Sequence, residues 1–362
     1  MQKYRILIVG AGIAGGAAGA LLGRSGHDVT LVERSAGVRS SGSPVDIRGG
    51  ALGVVRALGL EAAARERDTG AHALALLKRD GRAFTTIGMR AGPADIEIAR
   101  VDLAAILAGA AREVADLRFD DTFEALNQDA GGVDVRFVSG AQVRYDLVIG
   151  ADGQNSATRR RLWGADAADR RAPGLAIATA PLPLSIDDPR IVEMYNEPGL
   201  SLTVHPAGGR PGAAFIFRTD ASPADRGAQV ALLRDLYASM GWRAAEFLAA
   251  LDDVPDLYFD RVRRVAARSW ARGRVGLLGD AASSLTILGE GSSMALLGAR
   301  QLDQSLRDAP DAPAALAAYE ARHRPVVERA QSGAALGAAF LVPAGAVGLG
   351  IRNLVARAIR RV

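Results

Sequence analysis

Arg5-Ile6-Leu7-Ile8-Val9-Gly10-Ala11-Gly12-Ile13-Ala14-Gly15 lies close to the start of the sequence and carries its strongest structural signal. A short apolar, β-branched run is followed at once by a glycine turn, as expected for a buried parallel strand feeding a helix. Alanine-rich helical sequence runs on to Arg24, where Gly26 stops it, and residues 27–32 read as a second strand ending in Glu33. Each residue has a physical task. Gly10 permits the tight turn, Gly12 lets the backbone approach a pyrophosphate, and Ala14 and Gly15 let the helix pack close to the strands. The helix start offers unpaired N–H groups and partial positive charge to a diphosphate. Glu33 can accept hydrogen bonds from ribose hydroxyls and repels a 2′-phosphate, and Arg34 follows it.

Strand, glycine turn, helix, strand and acid identify a dinucleotide site without saying which dinucleotide. Two later segments extend the pattern. In one, a strand over 145–149 ends in Gly150-Ala151-Asp152-Gly153 and a polar turn leads through Ser156 to Arg159. In the other, Val275-Gly276-Leu277-Leu278 ends in Gly279-Asp280-Ala281-Ala282, and Gly289, Gly291, Ser292 and Ser293 open a helix over 294–306. Ligands of parallel sheets sit beyond the carboxyl ends of the strands, so three such ends bearing Gly or Asp point to one extended cofactor.

These residues resemble those of the FAD-dependent monooxygenases, the family that includes p-hydroxybenzoate hydroxylase and the tetracycline-modifying hydroxylases. The likeness rests on the amino-terminal fingerprint with Glu33-Arg34, on Gly150-Ala-Asp-Gly-x-x-Ser-x-x-Arg159, on Gly279-Asp280-Ala281-Ala282, and on Arg100 in Arg100-Val101-Asp102-Leu103. It implies FAD as cofactor and NADPH or NADH as a transient electron donor. It implies that Arg100 contacts FAD, that Asp280 holds the ribityl chain, and that Asp152 supports the pyrophosphate side and the nicotinamide approach. Residues 42–48 then lie along the isoalloxazine with Asp46 against the flavin, and Arg39 matches an arginine implicated in NADPH binding. The helix opening at Gly291, Ser292 and Ser293 would aim its N-terminus at the flavin N1–C2 carbonyl and stabilise the anionic reduced ring. Oxygen addition to reduced flavin would give a C4a-hydroperoxide, whose terminal oxygen passes to an aromatic or polyketide-like substrate. No general acid or base is assigned.

The chain departs from the family after Gly-Asp-Ala-Ala: histidine and proline are common there, whereas Ser283 and Ser284 follow here. Two other readings therefore stand beside hydroxylation, a flavin-dependent reductase of an unsaturated lipid-like substrate and a non-enzymatic FAD-binding protein. A halogenase is disfavoured, because Trp163, Trp242 and Trp270 stand alone and no Trp-x-Trp-x-Ile occurs. There is no second GxGxxG for a resident nicotinamide nucleotide.

The fold expected is α/β: a Rossmann-like FAD-binding domain, a second antiparallel-sheet substrate domain, and C-terminal helices. The boundaries expected are 1–72, 98–171 and 269–330 for the first, 73–97 and 172–268 for the second, and 331–362 for the last. Residues 191–196, 200–205 and 213–219 read as strands of a sheet roofing the flavin, with Met194 or Tyr195, His205, Phe215 and Phe217 as candidate substrate-lining residues. Phe215 and Phe217 must share one face.

Composition removes other classes. The 362-residue chain has no cysteine, which excludes dithiol flavoenzymes, disulfides and Cys-ligated metal. Lysine occurs only at Lys3 and Lys78, so the 44 basic residues are nearly all arginine, and the pI is about 9.7. Forty acidic residues are interleaved with them and aromatics are only 5%, so no nucleic-acid partner is expected. The apparent signal peptide over 1–22 is the glycine fingerprint, which leaves a cytoplasmic protein as the expectation. The uncharged run 333–351 contains Pro343 and five glycines, and reads as two helices with no integral membrane span. The partners expected are a small-molecule substrate and molecular oxygen, and the oligomeric state is left open.

Overall fold

The computed structural model describes residues 2–38, 43–90, 92–164, 174–182, 185–254, 257–285 and 290–359. The chain opens with β1 (Arg5–Val9), α1 (Ile13–Arg24) and β2 (Asp28–Val32). Then follow β3 (Val45–Ile47), α2 (Gly50–Ala57), α3 (Glu61–Arg65), β4 (Ala73–Leu77), β5 (Ala83–Gly88), β6 (Ile96–Ile98) and α4 (Arg100–Arg112). The central part runs through β7 (Asp116–Arg118), β8 (Phe123–Gln128), β9 (Val133–Phe137), β10 (Gln142–Tyr145), β11 (Leu147–Gly150) and α5 (Ala157–Trp163). Next come β12 (Leu175–Pro181), β13 (Ile191–Glu197), β14 (Leu200–His205), β15 (Gly212–Arg218), α6 (Arg226–Tyr237), α7 (Ala244–Ala250) and β16 (Tyr258–Arg261). The chain closes with β17 (Arg264–Ala266), β18 (Ala271–Arg272), β19 (Val275–Leu277), β20 (Ser283–Leu285), α8 (Glu290–Asp308), α9 (Ala312–Ser332), α10 (Ala334–Leu341) and α11 (Ala346–Ala358).

The first sheet has the order β18-β19-β11-β1-β2-β7 and is parallel from β19 to β7. Its register places Val9 beside Gly150 and Gly150 beside Leu277, so the ends of β1, β11 and β19 lie side by side at one carboxyl edge. Backbone bonds carry this alignment past the strands: Gly10 N to Val32 O at 2.7 Å, Ala151 N to Val9 O at 2.8 Å, and Leu278 N to Gly150 O at 2.9 Å. Helix α1 packs between α4 and α8. Mid-helix glycine costs about 1 kcal/mol relative to alanine, but a Cβ on Gly16 would lie 3.0 Å from Leu107 Cβ and one on Gly23 would lie 2.6 Å from Val114 O. Close helix packing, more than helix propensity, accounts for the composition of α1.

A second sheet has the order β16-β12-β15-β14-β13-β4-β5 and is antiparallel except where β13 meets β4. One face is covered by α6 and α7, where Phe215, Phe217, Tyr237 and Phe247 are fully buried. The strands expected from the sequence are present, and β4 and β5 extend this sheet beyond β13. Residues 96–98 pair with β3 instead, setting Glu97 opposite Asp46.

The C-terminal run divides at Pro343 into α10 and α11, as expected from the sequence. Helix α11 is pinned to the second sheet by Arg352, which donates to Asn196 Oδ1 at 2.6 Å, while Asn196 donates to Leu341 O at 2.7 Å. Burial lowers the Arg352 pKa to about 10. Among the described residues no single helix is long and apolar enough to cross a membrane; the run to Leu341 and α11 meet at 104°.

Arg159 joins two of the cofactor-edge turns. It is 1% exposed, and its guanidinium donates to Gln154 O and to Ala281 O, both at 2.6 Å. Arg159→Met leaves those carbonyls without their charged donor and is expected to cost about 3 kcal/mol. The expected reading is a lower urea midpoint at unchanged slope; an unchanged midpoint contradicts this role.

Candidate functional site

The glycine turn is built as the sequence demands. Gly10 has φ +101°, and a Cβ there would stand 2.6 Å from Ala151 O. A Cβ on Gly15 would come 1.8 Å from Gly10 O, and one on Gly279 would come 2.7 Å from Ala14 Cβ. Ala14 is thus small because the third strand end presses against it. Gly12 differs: a Cβ there would meet nothing within 4 Å. It is the N-cap of α1, with no side-chain cap and no acid in the first turn, so free N–H groups and the positive helix end face open space. Glu33 closes the turn by accepting Ala11 N and Ser35 N, each at 3.0 Å, one on each carboxylate oxygen. Arg34 is exposed.

The other two strand ends divide their labour. Asp152 accepts from Ser156 Oγ at 2.5 Å and from Thr158 N at 2.9 Å, so its carboxylate fastens the start of α5. The residue of this turn that lines the cleft is Gln154. Asp280 receives no hydrogen bond from any described residue. Burial raises its pKa, with Asp260 adding to the rise and Arg100 opposing it. Arg100, at the first position of α4, has a buried Nε without a partner. An unpaired acceptor and an unpaired donor at the edge where a helix N-terminus lies free match a polyol diphosphate: hydroxyls for Asp280, oxygens for Arg100. The residues present therefore fit FAD.

The flavin loop and the second helix start are tied together. Ser293, in the first turn of α8, donates to Asp46 O at 2.9 Å, and Ser292 and Ser293 are both buried. The Asp46 carboxylate pairs with Arg48 at 2.8 Å, yet burial leaves its pKa raised. Gly291 lies one residue inside α8, which begins at Glu290. Arg39 and Gly289 fall outside the described residues.

Above this edge lies a cleft holding about 1240 Å³ of space, part of it open to solvent. Its floor includes Pro44, Asp46, Arg100 and Gln154, and its roof is one face of the second sheet, with Ile177, Met194, Thr203, His205 and Ile216. His205 lines the cleft, and of the pair Met194 or Tyr195 so does Met194. Tyr195, Phe215 and Phe217 require correction, because they lie on the opposite face. Phe215 and Phe217 pack edge-on against Tyr237 of α6, with ring centres 5.1 and 6.0 Å apart. Tyr195 donates to Glu197 at 2.7 Å on that same side. Successive residues of a strand point to opposite faces, and here the helical layer takes the aromatic one. The sequence also left Glu97 and Tyr258 unremarked; both line the cleft.

The family described as FAD binding domain matches residues 3–334. An uncharacterized protein of Mycobacterium tuberculosis (strain CDC 1551 / Oshkosh) is 36% identical, covering 90% of this chain and 91% of its own. A flavin-dependent monooxygenase from an unknown prokaryotic organism is 32% identical, covering 91% and 88%. Among solved structures, tetracycline destructase Tet(55) superposes with a TM-score of 0.85 at 30% identity, covering 99% of this chain and 96% of that one.

Two substitutions separate the cofactor site from the scaffold. Gly12→Ala meets no protein atom and is expected to change the stability of FAD-free protein by no more than about 1 kcal/mol. It should still weaken FAD binding at least about tenfold; unchanged affinity by titration contradicts the placement of the diphosphate. Asp280→Asn removes a carboxylate whose folded pKa lies above the ordinary value. The ionised form is penalised on folding, so the variant should melt higher than wild type without FAD at neutral pH. That advantage should shrink as pH falls through the raised pKa toward 3.8, where both states bind the proton. A constant or inverted difference across that range contradicts the assignment.

Proposed function

Because the chain belongs to the FAD binding domain family and is an FAD-dependent monooxygenase, we propose that it uses NADPH or NADH and molecular oxygen to insert one oxygen atom into an aromatic or polyketide-like small molecule. The observation that carries this reading is continuity: one cleft is lined both by the flavin-loop residues Pro44 and Asp46 and by the apolar sheet face bearing Ile177, Met194 and Ile216. Bound FAD supplies the acceptance of reducing equivalents and the activation of oxygen. The chain's own residues bind and orient. Free N–H groups at the start of α1 hold the diphosphate, Glu33 receives the ribose hydroxyls, and Arg100 and Asp280 hold the middle of the cofactor. The positive end of α8, latched to Asp46 by Ser293, would favour negative charge on a bound flavin. The apolar roof keeps water from the reacting centre.

The same reading divides the chain into FAD-binding parts 1–72, 98–171 and 269–330, substrate parts 73–97 and 172–268, and C-terminal helices 331–362. The nicotinamide donor visits without a binding domain of its own, with Arg39 as its proposed contact. The cytoplasm, which supplies that donor, is the compartment we propose for the reaction.

The test is a screen of phenolic and polyketide-like compounds with FAD-loaded protein, NADPH or NADH, and isotopically labelled oxygen. The expected result is nicotinamide oxidation stimulated by a compound whose product carries one labelled oxygen atom. A product reduced without oxygen, formed equally under anaerobic conditions, would instead establish a reductase.

A further inference from the structure

What the cleft accepts can be read from a carboxylate the sequence did not single out, and this step rests on the FAD-dependent reading above. Glu97 is 6% exposed, lines the cleft, and stands opposite Asp46 in the β3–β6 pair. Its Oε2 accepts from Thr69 Oγ at 2.5 Å and is 3.1 Å from His205 Nε2. The histidine tautomer follows from its other nitrogen. Ala207 N–H donates to His205 Nδ1 at 2.9 Å, so Nδ1 carries no proton and the neutral ring must carry it on Nε2, aimed at Glu97. Both neighbours of Oε2 are therefore donors. Hydrogen bonds from both donors, with the positive charge of Arg90, favour the ionised carboxylate against its burial.

Oε1 accepts nothing from any described residue. It opens to the cleft with acceptor capacity to spare, which water or a ligand hydroxyl can take up. The surroundings limit what that can be. Asp46 and Glu97 put two carboxylates opposite each other on this side of the cleft, with Arg48 paired to Asp46 at 2.8 Å, while Arg100 and Arg261 line the same cleft with Asp260. Leu74, Val192 and Met194 line the neighbouring wall and offer apolar contact.

We propose that Glu97 is the substrate-anchoring acceptor of this cleft: Oε1 takes the hydroxyl of a neutral hydroxylated aromatic substrate, and the site turns carboxylated aromatics away. Thr69 and His205 are positioning residues that fix which oxygen faces the ligand. A site built to receive a hydroxyl discriminates strongly against ligands that lack one, because its own buried group is then left unpaired.

Glu97→Gln tests this by reversing polarity. Thr69 and His205 both donate, so the amide oxygen turns to them and the NH2 group is left facing the cleft. The probes are 2,6-dihydroxynaphthalene and 2,6-naphthalenedicarboxylate, titrated into FAD-loaded protein and read through the visible flavin spectrum. Wild type is expected to prefer the diol. Glu97→Gln should weaken the diol about tenfold and strengthen the dicarboxylate by a similar factor, a reversal that loss of a purely structural pin would not produce. Thr69→Val keeps the carboxylate but loses one of its holders, and should weaken the diol about threefold without improving the dicarboxylate. Equal ligand preference in wild type and Glu97→Gln overturns the proposal, as does a wild type that prefers the dicarboxylate or binds neither probe. Failure of the wild type to take up FAD would fall on the parent reading instead.

Discussion

The structure depends on the hydrogen-bonded alignment of three strand ends. Gly10 bonds across to Val32, Ala151 to Val9 and Leu278 to Gly150, each within 2.9 Å. Each such bond contributes only about 1 kcal/mol net, but together they fix which residues share the carboxyl edge. The groups assigned to the cofactor gather at that edge: the free start of α1, the Glu33 clasp on Ala11, the Gly279 turn pressed on Ala14, and the unpaired groups of Asp280 and Arg100. Arg159 secures the edge from beneath by holding the turns at Gln154 and Ala281 together. A slip of one residue between β11 and β19 would misplace the second aspartate turn.

The site combines two kinds of surface. Its floor is backbone and charge, made for a polyanionic nucleotide. Its roof is an apolar sheet face bordered by carboxylates. Asp46 belongs to both: its backbone oxygen latches α8 through Ser293, and it stands across from Glu97 where both line the cleft. One short two-stranded ribbon, β3 with β6, thereby carries the contacts proposed for both the flavin ring and the substrate.

The nucleotide half was legible because its residues are constrained by backbone geometry. Gly10 needs a positive φ, Gly15 and Gly279 need contact distances no side chain allows, and such demands leave local marks in a sequence. Asp152 shows where that legibility stops: its place in the turn was readable, whereas its engagement with Ser156 and Thr158 depends on where α5 begins. On the substrate side the strands were readable and the faces were not. Period-two alternation puts Phe215 and Phe217 together but gives no sign of which side is covered. The deciding fact is the layer α6–α7, an unread element whose Tyr237 and Phe247 claim that face. Glu97 escaped notice for a related reason. Its partners Thr69 and His205 are 28 and 108 residues away in sequence, so no local pattern announces the constellation.

Whether this edge holds FAD is read by titrating FAD into purified protein. Saturable binding of one flavin per chain is expected, with the flavin spectrum perturbed by a buried, polar site. A folded chain that binds no flavin, or binds it without saturation and with the spectrum of flavin in water, would contradict it.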